Sequence, residues 1–278
     1  MTPLLFITGT DTGAGKTVLT ALLTRHLRAQ GIHAAAFKPV CSGGREDARI
    51  LHDAQDGELT LDEINPWHFR APLAPALAAR RENRRVSLPI ILEHLRRFQR
   101  RFDCVLVEGA GGLLSPLGDG FNSRDLIAAL RATPLLVAPN QLGVVNHVLL
   151  TLEALPPGWA RRAQVILRST PRPGAAAKSN PNFLAGLIGA EKIVSLPWLG
   201  KDFAAGSALK NPAVRRALRE LAGAAGLDGG GDLRGIVEGS ALCAELTGPS
   251  PRSSFLGARE KTRDRGQRGR AWPASFVE

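Results

Sequence analysis

Residues 9–17 read GTDTGAGKT and directly follow the apolar segment 3–8, PLLFIT. A short uncharged apolar run is typical of a strand that is buried on both faces of a sheet. Glycines allow backbone N–H groups to converge on an anion, and a helix that begins at Lys16 adds its positive N-terminal end. The order of strand, glycine-rich turn, Gly-Lys-Thr and amphipathic helix therefore predicts a phosphate-binding loop.

The spacing of this loop differs from the common one. The usual pattern places four residues between the first glycine and Gly-Lys-Ser/Thr. Here Thr10 occupies the position of that glycine, and the glycine stands one place earlier, at Gly9. The chemistry expected of the loop is unchanged: Lys16 would reach the β- and γ-phosphates of a nucleotide, and the Thr17 hydroxyl would bind magnesium.

Strand and helix patterns alternate along the chain, and the predicted strands are almost continuously apolar. This alternation predicts an α/β, three-layer fold of the P-loop NTPase type, with a mostly parallel central sheet and helices on both faces. The predicted strands span residues 3–8, 33–40, 102–108, 134–139, 163–168 and 191–199. The predicted helices span residues 16–30, 47–54, a segment capped by Ser87, 144–155 and 211–226.

Charged residues stand at the ends of several predicted strands, where parallel sheets bind their ligands. Glu108 ends an apolar strand and precedes glycines, so a magnesium ion would offset the cost of burying its carboxylate. Lys38 ends the second strand and can stabilise charge during phosphoryl transfer. Asp47 is a further candidate magnesium ligand, and Ser42 is a candidate hydroxyl donor. We also expect Gly111 and the next glycine to offer N–H groups to an anion.

Composition predicts one globular domain with a tail. The chain has 278 residues, 44% of them hydrophobic, which is enough for a sizeable core. We predict a domain over residues 1–226 and a Gly- and Arg-rich linker with a disordered tail over residues 227–278. The net charge of +11 comes mainly from arginines without interleaved aromatic residues, so we expect solvated helix faces and no nucleic-acid partner.

The same survey predicts a cytoplasmic protein. The three cysteines are widely spaced and odd in number, which favours free thiols in a reducing compartment. We recognise no secretory signal and no apolar run of the roughly 18–20 residues that a membrane span needs. We therefore expect neither export nor membrane association.

With these segments in order, the sequence resembles the dethiobiotin synthetases. The resemblance covers residues 1 to about 226 and includes that family's unusually spaced GTDTGAGKT loop. The matching segments also include KPVCSGG, NPWHFRAPLAPALAA, VLVEGAGGLLSPL, LGVVNHVLLT and LPWLG. It implies a homodimeric enzyme that uses ATP, Mg²⁺ and CO₂ to convert 7,8-diaminononanoate into dethiobiotin, ADP and phosphate.

The resemblance also implies roles for particular residues. Those expected to act in catalysis are Lys16, Lys38 and Thr12, and those expected to bind magnesium are Thr17, Asp47 and Glu108. The expected nucleotide site comprises Gly13, Ala14, Gly15, Lys16, Thr17, Val18, Glu108 and Pro197. The expected substrate site comprises Ser42, Gly111, Leu142 and Asn146, with the Leu142–Asn146 segment acting near the subunit interface.

The chain departs from the family's pattern at one position, and two other classes of protein are alternative interpretations of the sequence. Many members of the family have an asparagine that reads adenine at the end of the fifth strand, where this chain has Arg168 or Ser169. A ParA/MinD-like switch ATPase would carry a second lysine early in the loop, where this chain has Asp11 and Thr12. A cobyrinate-type amidating enzyme would need a glutaminase domain, for which the residues after 226 are too few.

Overall fold

The segment LLFITG forms the central strand of the sheet, and its side chains from Leu5 onward are buried. The computed structural model describes residues 2–200 and 203–227. Within them, the strands are β1 (Leu4–Gly9), β2 (Ala34–Phe37), β3 (Val40–Ser42), β4 (Trp67–Phe69), β5 (Cys104–Glu108), β6 (Pro116–Gly118), β7 (Phe121–Asn122), β8 (Thr133–Pro139), β9 (Gln164–Arg168) and β10 (Ile193–Leu196).

The same residues form helices of very different lengths. They are α1 (Lys16–Ala29), α2 (Glu46–Ala54), α3 (Leu61–Ile64), α4 (Pro75–Arg81), α5 (Leu88–Gln99), α6 (Ser123–Leu130), α7 (Val144–Ala154), α8 (Pro157–Arg162), α9 (Ala176–Ile188), α10 (Ala205–Ala208) and α11 (Pro212–Ala224). A 3₁₀ turn at Ala190–Lys192 precedes β10.

Six strands form one parallel sheet in the order β10-β9-β8-β1-β5-β2. The chain runs from β1 to β2 in one direction across the sheet, and later crossovers run in the other. Because parallel crossovers are right-handed, this reversal places helices on both faces. The predicted fold class is therefore confirmed. All six carboxyl ends lie at one edge, and the glycine-rich loop follows the central strand.

The predicted second strand divides at Pro39, so one strand over residues 33–40 is wrong. β2 ends at Phe37, and the Lys38 N–H donates to the Ile64 carbonyl oxygen at 3.0 Å instead of to a sheet neighbour. Pro39 has no N–H with which to continue the ladder. The chain then forms β3, which pairs with β4 in a separate two-stranded sheet. This departure from the main sheet brings Lys38 to the sheet's ligand-binding edge.

Most of the predicted helices are present, including the short α2 (Glu46–Ala54), which was predicted over residues 47–54. α1, α7 and α11 lie close to their predicted bounds, whereas α6 and α9 were not predicted. Ser87 occupies the N-cap position of α5 but makes no side-chain capping hydrogen bond. Ser87 therefore stands at the predicted N-cap position, but its side chain does not cap the helix.

The predicted tail at residues 227–278 lies outside the described residues, apart from Leu227. This leucine is 2% exposed, and its N–H donates to the Ala222 carbonyl oxygen at 2.8 Å. Cys41 and Cys104 are buried free thiols. No helix among residues 2–200 and 203–227 combines the length and the hydrophobicity required to cross a membrane.

Candidate active site

The loop between β1 and α1 has the backbone of an anion-binding turn. Gly13 and Gly15 have φ values of 73° and 102°, which glycine adopts without steric cost. α1 begins directly afterwards and has no acidic residue in its first turn. Its first N–H groups and its positive end are therefore suited to a phosphate. The strand, turn and helix expected from the sequence are all present.

Lys16 folds back over this loop. Its Nζ donates to the Asp11 carbonyl oxygen at 3.0 Å, and the residue is buried. Burial and then the neighbouring charge of Lys38 lower the pKa of Lys16 to about 8. A bound phosphate would favour the charged form of this lysine, because opposite charges stabilise each other most strongly where water is excluded.

Four side chains meet beside the loop, from α1, α2, β5 and the end of β2. Lys38 Nζ lies 2.6 Å from Asp47 Oδ2 and 2.6 Å from Glu108 Oε1. Thr17 Oγ1 donates to Glu108 Oε1 at 2.7 Å. We call these four residues the Lys38 cluster. The sequence predicts each of them separately, and the parallel sheet brings their side chains together.

Opposite charges keep the Lys38 cluster ionised despite its burial. Burial alone lowers the pKa of Lys38, but the carboxylates of Glu108 and Asp47 outweigh it and raise that pKa above its ordinary value. Burial likewise raises the pKa of Asp47, yet the Lys38 ammonium outweighs it and lowers that pKa. The cluster is therefore a charged site beside the loop, held together by an ammonium between two carboxylates.

The oxygen atoms of this cluster suit a magnesium ion. Glu108 Oε2 is buried without a hydrogen-bond partner in the described part of the chain, and an orphaned buried carboxylate oxygen indicates an absent ligand. Glu108, Thr17 and Asp47 together supply the hard oxygens that Mg²⁺ prefers. Across the described ranges, no group of three or more His, Cys, Asp or Glu side chains could hold a metal. Phosphate oxygens and water would therefore complete the coordination.

The segment after β5 touches the phosphate-binding loop. A Cβ at Gly111 would lie 3.8 Å from Thr12 Oγ1 and would collide with Ser115. Gly111 also has a φ of 71°, so this close approach requires glycine. The Gly112 N–H donates to Ser115 Oγ at 2.9 Å. The expectation that Gly112 offers its N–H to an anion is therefore wrong, because a serine already accepts it.

Ser42 does not have the free hydroxyl hydrogen expected of a donor to the substrate. Its Oγ donates to the Leu73 carbonyl oxygen at 2.5 Å. The hydroxyl oxygen retains its acceptor capacity. Ser42 is therefore better suited to accept a hydrogen bond from an amine than to donate one to a carboxylate.

Leu142 and Asn146 lie at the surface around the start of α7. Leu142 is 86% exposed, and Asn146 is exposed as well. Asn146 forms no side-chain hydrogen bond with any of the described residues. The structure therefore does not join these two residues to the Lys38 cluster within one copy of the chain.

Arg168 covers the other side of the loop, which sequence reasoning missed. Its Nε donates to the Ala14 carbonyl oxygen at 2.9 Å, and its guanidinium carbon lies 5.5 Å from the centre of the Trp198 ring. Arg168 is the last residue of β9, and Trp198 follows the candidate nucleotide residue Pro197. The only sequence signal was the absence of the family's asparagine at this strand end.

Asn65 supports the Lys38 cluster from behind and was not predicted. Its buried Nδ2 donates to the Lys38 carbonyl oxygen at 2.6 Å. The Cys41 thiol donates to Asn65 Oδ1 at 3.1 Å. Because Asn65 lies 27 residues from Lys38, only the tertiary fold shows that its side chain positions the lysine.

Comparisons with known proteins identify the family to which the chain is similar. A family model described as an AAA domain matches residues 4–201. The ATP-dependent dethiobiotin synthetase BioD of Anaeromyxobacter sp. strain K is 45% identical over 199 residues, which are 70% of this chain and 89% of that protein. The enzyme of the same name from Akkermansia muciniphila is 46% identical over 149 residues, 54% of this chain and 70% of that protein.

Among solved structures, the chain is similar to pNOB8 ParA bound to nonspecific DNA. The TM-score is 0.51 with 16% identity, and the match covers 82% of this chain and 100% of that one. A likeness at this identity shows the fold alone.

The fold and the loop define a P-loop nucleotide-binding protein of the α/β class. Within that class, the chain belongs to the ATP-dependent dethiobiotin synthetase family, whose members match it over most of their length.

Proposed function

We propose that this protein is an ATP-dependent cyclo-ligase that forms carbon–nitrogen bonds. It closes 7,8-diaminononanoate and CO₂ into the cyclic urea of dethiobiotin, with ADP and phosphate as the other products. The observation that carries this proposal is the Lys38 cluster beside the phosphate-binding loop, in a chain of this family. The reaction needs positioned charge more than a nucleophilic side chain, and this site supplies it.

The chemistry proceeds in three balanced steps. One amine adds to CO₂, forming a carbon–nitrogen bond and releasing a proton, to give a carbamate. A carbamate oxygen then attacks the γ-phosphorus of ATP, and the bond to the β-phosphate oxygen breaks to release ADP. The second amine attacks the carbonyl carbon of this carbamic-phosphoric anhydride. The carbon–oxygen bond to phosphate breaks, and the ring closes with loss of phosphate and a proton.

Each cationic side chain has a role in these three reaction steps. Lys16, buried on the loop, binds the β- and γ-phosphates and stabilises charge as it moves onto ADP. Lys38 holds the carbamate, whose negative oxygen suits an ammonium. Thr12 lies beside Gly111, so the two residues bracket the carbamate end of the substrate. The nucleotide is held by the loop, the first turn of α1, Glu108 and Pro197.

Magnesium fits the same site. Thr17, Asp47 and Glu108 would hold it, and when bound it would neutralise charge on the β- and γ-phosphates. Magnesium would then share the two carboxylates with Lys38. The Lys38 ammonium would therefore be freer to bind the carbamate.

The diamine lies on the side of Lys38 and Ser42. The Ser42 oxygen accepts a hydrogen bond from an amine, as its bond to Leu73 favours. Leu142 and Asn146 act from a second copy of the chain, which is consistent with their exposure. The enzyme is therefore a homodimer in which each copy contributes the start of α7 to its partner's substrate site.

The remaining expectations concern the chain as a whole. The catalytic domain comprises residues 1–226, and residues 227–278 form a tail whose first residue, Leu227, packs on the domain. A cytoplasmic location is supported by Cys41 and Cys104, which are buried free thiols, as a reducing compartment maintains them.

Release of ADP in the presence and absence of the diamine tests this function. Purified protein is supplied with magnesium, ATP and bicarbonate, and dethiobiotin is followed by mass. We expect ADP release and dethiobiotin to appear together and only with 7,8-diaminononanoate. Hydrolysis of ATP that ignores the diamine and rises with DNA would instead support a switch ATPase of the ParA/MinD kind.

A further inference from the structure

The position of the Lys38 cluster indicates where the base of the nucleotide lies. The cluster lies on the β5 and β2 side of the loop, and under the proposed function the γ-phosphate reacts there. The nucleoside then extends to the opposite side, toward β8, β9 and β10. Arg168 ends β9, and Trp198 follows β10, so their side chains stand on the base side of the loop.

Arg168 is held firmly on this side. Its Nε donates to the Ala14 carbonyl oxygen at 2.9 Å, and its Nη2 reaches the Gly13 carbonyl oxygen at 3.4 Å. The guanidinium also packs on the Trp198 ring. A Cβ added at Gly15 would lie 2.5 Å from Arg168 Nε. The loop and the arginine are therefore closely fitted, and the side chain is preorganised.

The fixed guanidinium has N–H donors that make no hydrogen bond within the described part of the chain. It carries five N–H groups, and only Nε and Nη2 have hydrogen-bond acceptors among residues 2–200 and 203–227. The N–H groups on Nη1 remain for a ligand. A guanidinium cannot accept a hydrogen bond, so it has no means of recognising the N6 amino group of adenine. It pairs well with acceptors such as O6 and N7 of guanine.

We propose that Arg168, supported by Trp198, is the specificity-determining residue for the nucleotide base, and that it replaces adenine selection by tolerance of bases with acceptor edges. GTP therefore serves as a phosphoryl donor alongside ATP. This inference rests on the proposed function for the direction of the nucleotide, but base selectivity itself is measurable by binding alone.

A comparison of adenine and guanine nucleotides, in binding and in turnover, tests the proposal. Binding of ADP and GDP is measured by calorimetry with magnesium, and kcat/KM for ATP and GTP is measured with the diamine and bicarbonate. We expect the wild-type ratio of ATP to GTP to lie within about fivefold of one. In Arg168→Asn, an amide both donates to N7 and accepts from N6 of adenine, so the ratio should rise by about tenfold, the size of one base-edge contact.

One control variant and three further outcomes complete the test. Arg100→Asn makes the same exchange at the end of α5, which supplies no residue to the site, and should leave the ratio unchanged. A wild-type preference for ATP of more than about fivefold would overturn the proposal, because one base-edge contact is enough to produce it. Equal weakening of ADP and GDP in Arg168→Asn would also overturn it, because the arginine would then bind phosphate. Base tolerance in binding without any dethiobiotin would support Arg168 and contradict the proposed function.

Discussion

At the scale of single residues, the ion pairs of Lys38 are the most consequential feature of the site. Its ammonium is 5% exposed and lies between Asp47 and the fully buried side chain of Glu108. A buried carboxylate without a partner is far more costly than a paired one. Lys38 therefore stabilises the folded state, in addition to its proposed role of binding the carbamate.

Replacing Lys38 by Met should separate these two roles. We expect at least a hundredfold loss of dethiobiotin formation with little change in ADP affinity, because the loop and Lys16 remain. The buried Glu108 would lose its cation, which should lower the free energy of unfolding by about 3–5 kcal/mol. Steady-state kinetics, ADP calorimetry and urea denaturation measure the three quantities.

The double variant Lys38→Met/Glu108→Gln is the control for stability. Neutralising the stranded carboxylate should recover much of the lost free energy of unfolding, without restoring activity. Equal stability of the single and double variants would show that the pair does not act as a charge pair.

The two left-handed glycines of the loop should differ in their tolerance of a side chain. Both strain an added methyl group through their positive φ, at about 1–2 kcal/mol. A Cβ at Gly13 meets nothing within 4 Å, whereas one at Gly15 meets Arg168. Gly15→Ala should therefore lower the melting temperature and ADP affinity more than Gly13→Ala. Adding Arg168→Ala to Gly15→Ala should recover part of the melting temperature; no recovery would contradict the close fit.

At the scale of elements, the strands that are buried on both faces were the ones predicted best from the sequence. β1 and β5 are buried on both faces, so both were predicted from their apolar runs. Pro39 was visible in the sequence, yet its effect on the second strand depended on Ile64 accepting the Lys38 N–H. A contact between distant segments cannot be read from local periodicity, because the same proline is compatible with a bulge, an edge or a strand end.

His94 joins α5 to α3 and should make their packing sensitive to pH. Its Nε2 donates to the Glu63 carbonyl oxygen at 2.7 Å, and its ring packs edge-on against Trp67. Burial lowers the pKa of His94 below its usual 6.5, with Arg97 adding to the effect and Glu63 opposing it. The neutral form is therefore the one that the folded state favours.

The sign of the pH effect follows from that shift. Between the lowered folded pKa and the unfolded value near 6.5, the unfolded chain binds more protons, so stability falls as pH drops through this window. Each unit between the two pKa values corresponds to about 1.4 kcal/mol. His94→Gln should flatten this part of a urea-denaturation profile between pH 7 and 5, although His26 and His68 retain their own shares. An unchanged profile would contradict the role of His94.

At the scale of the whole molecule, exposed apolar side chains on α7 and α9 support the proposed homodimer. Leu150, Phe183 and Leu187 are each more than half exposed, and the two helices pack against one another. Phe183→Glu/Leu187→Glu should shift the protein to monomers in sedimentation and reduce dethiobiotin formation. Ile90→Glu, an exposed apolar position on α5, should leave both unchanged. A dimer that survives the double variant would place the interface elsewhere.

A shortened chain tests the predicted domain boundary. A protein ending at Asp228 keeps the buried Leu227 and should retain wild-type turnover and melting temperature. One ending at Ala225 loses Leu227 and its packing, and its melting temperature should fall by several degrees, as burial of one leucine is worth about 1.5–3 kcal/mol. Loss of activity in the longer protein would show that the tail contributes to the fold.

The sequence by itself determined the fold class, the phosphate-binding loop and the identity of most charged candidates. These depend on local patterns, since buried strands exclude charge and an anion-binding turn needs glycine at particular positions. Only the tertiary structure decided that Lys38 lies between Asp47 and Glu108, that Leu73 takes the Ser42 hydrogen bond, and that Arg168 rests on the loop. Lys38 and Asp47 are nine residues apart, but the other contacts join segments separated by 31 residues or more. Such contacts depend on how the chain folds back on itself, which local sequence patterns do not determine.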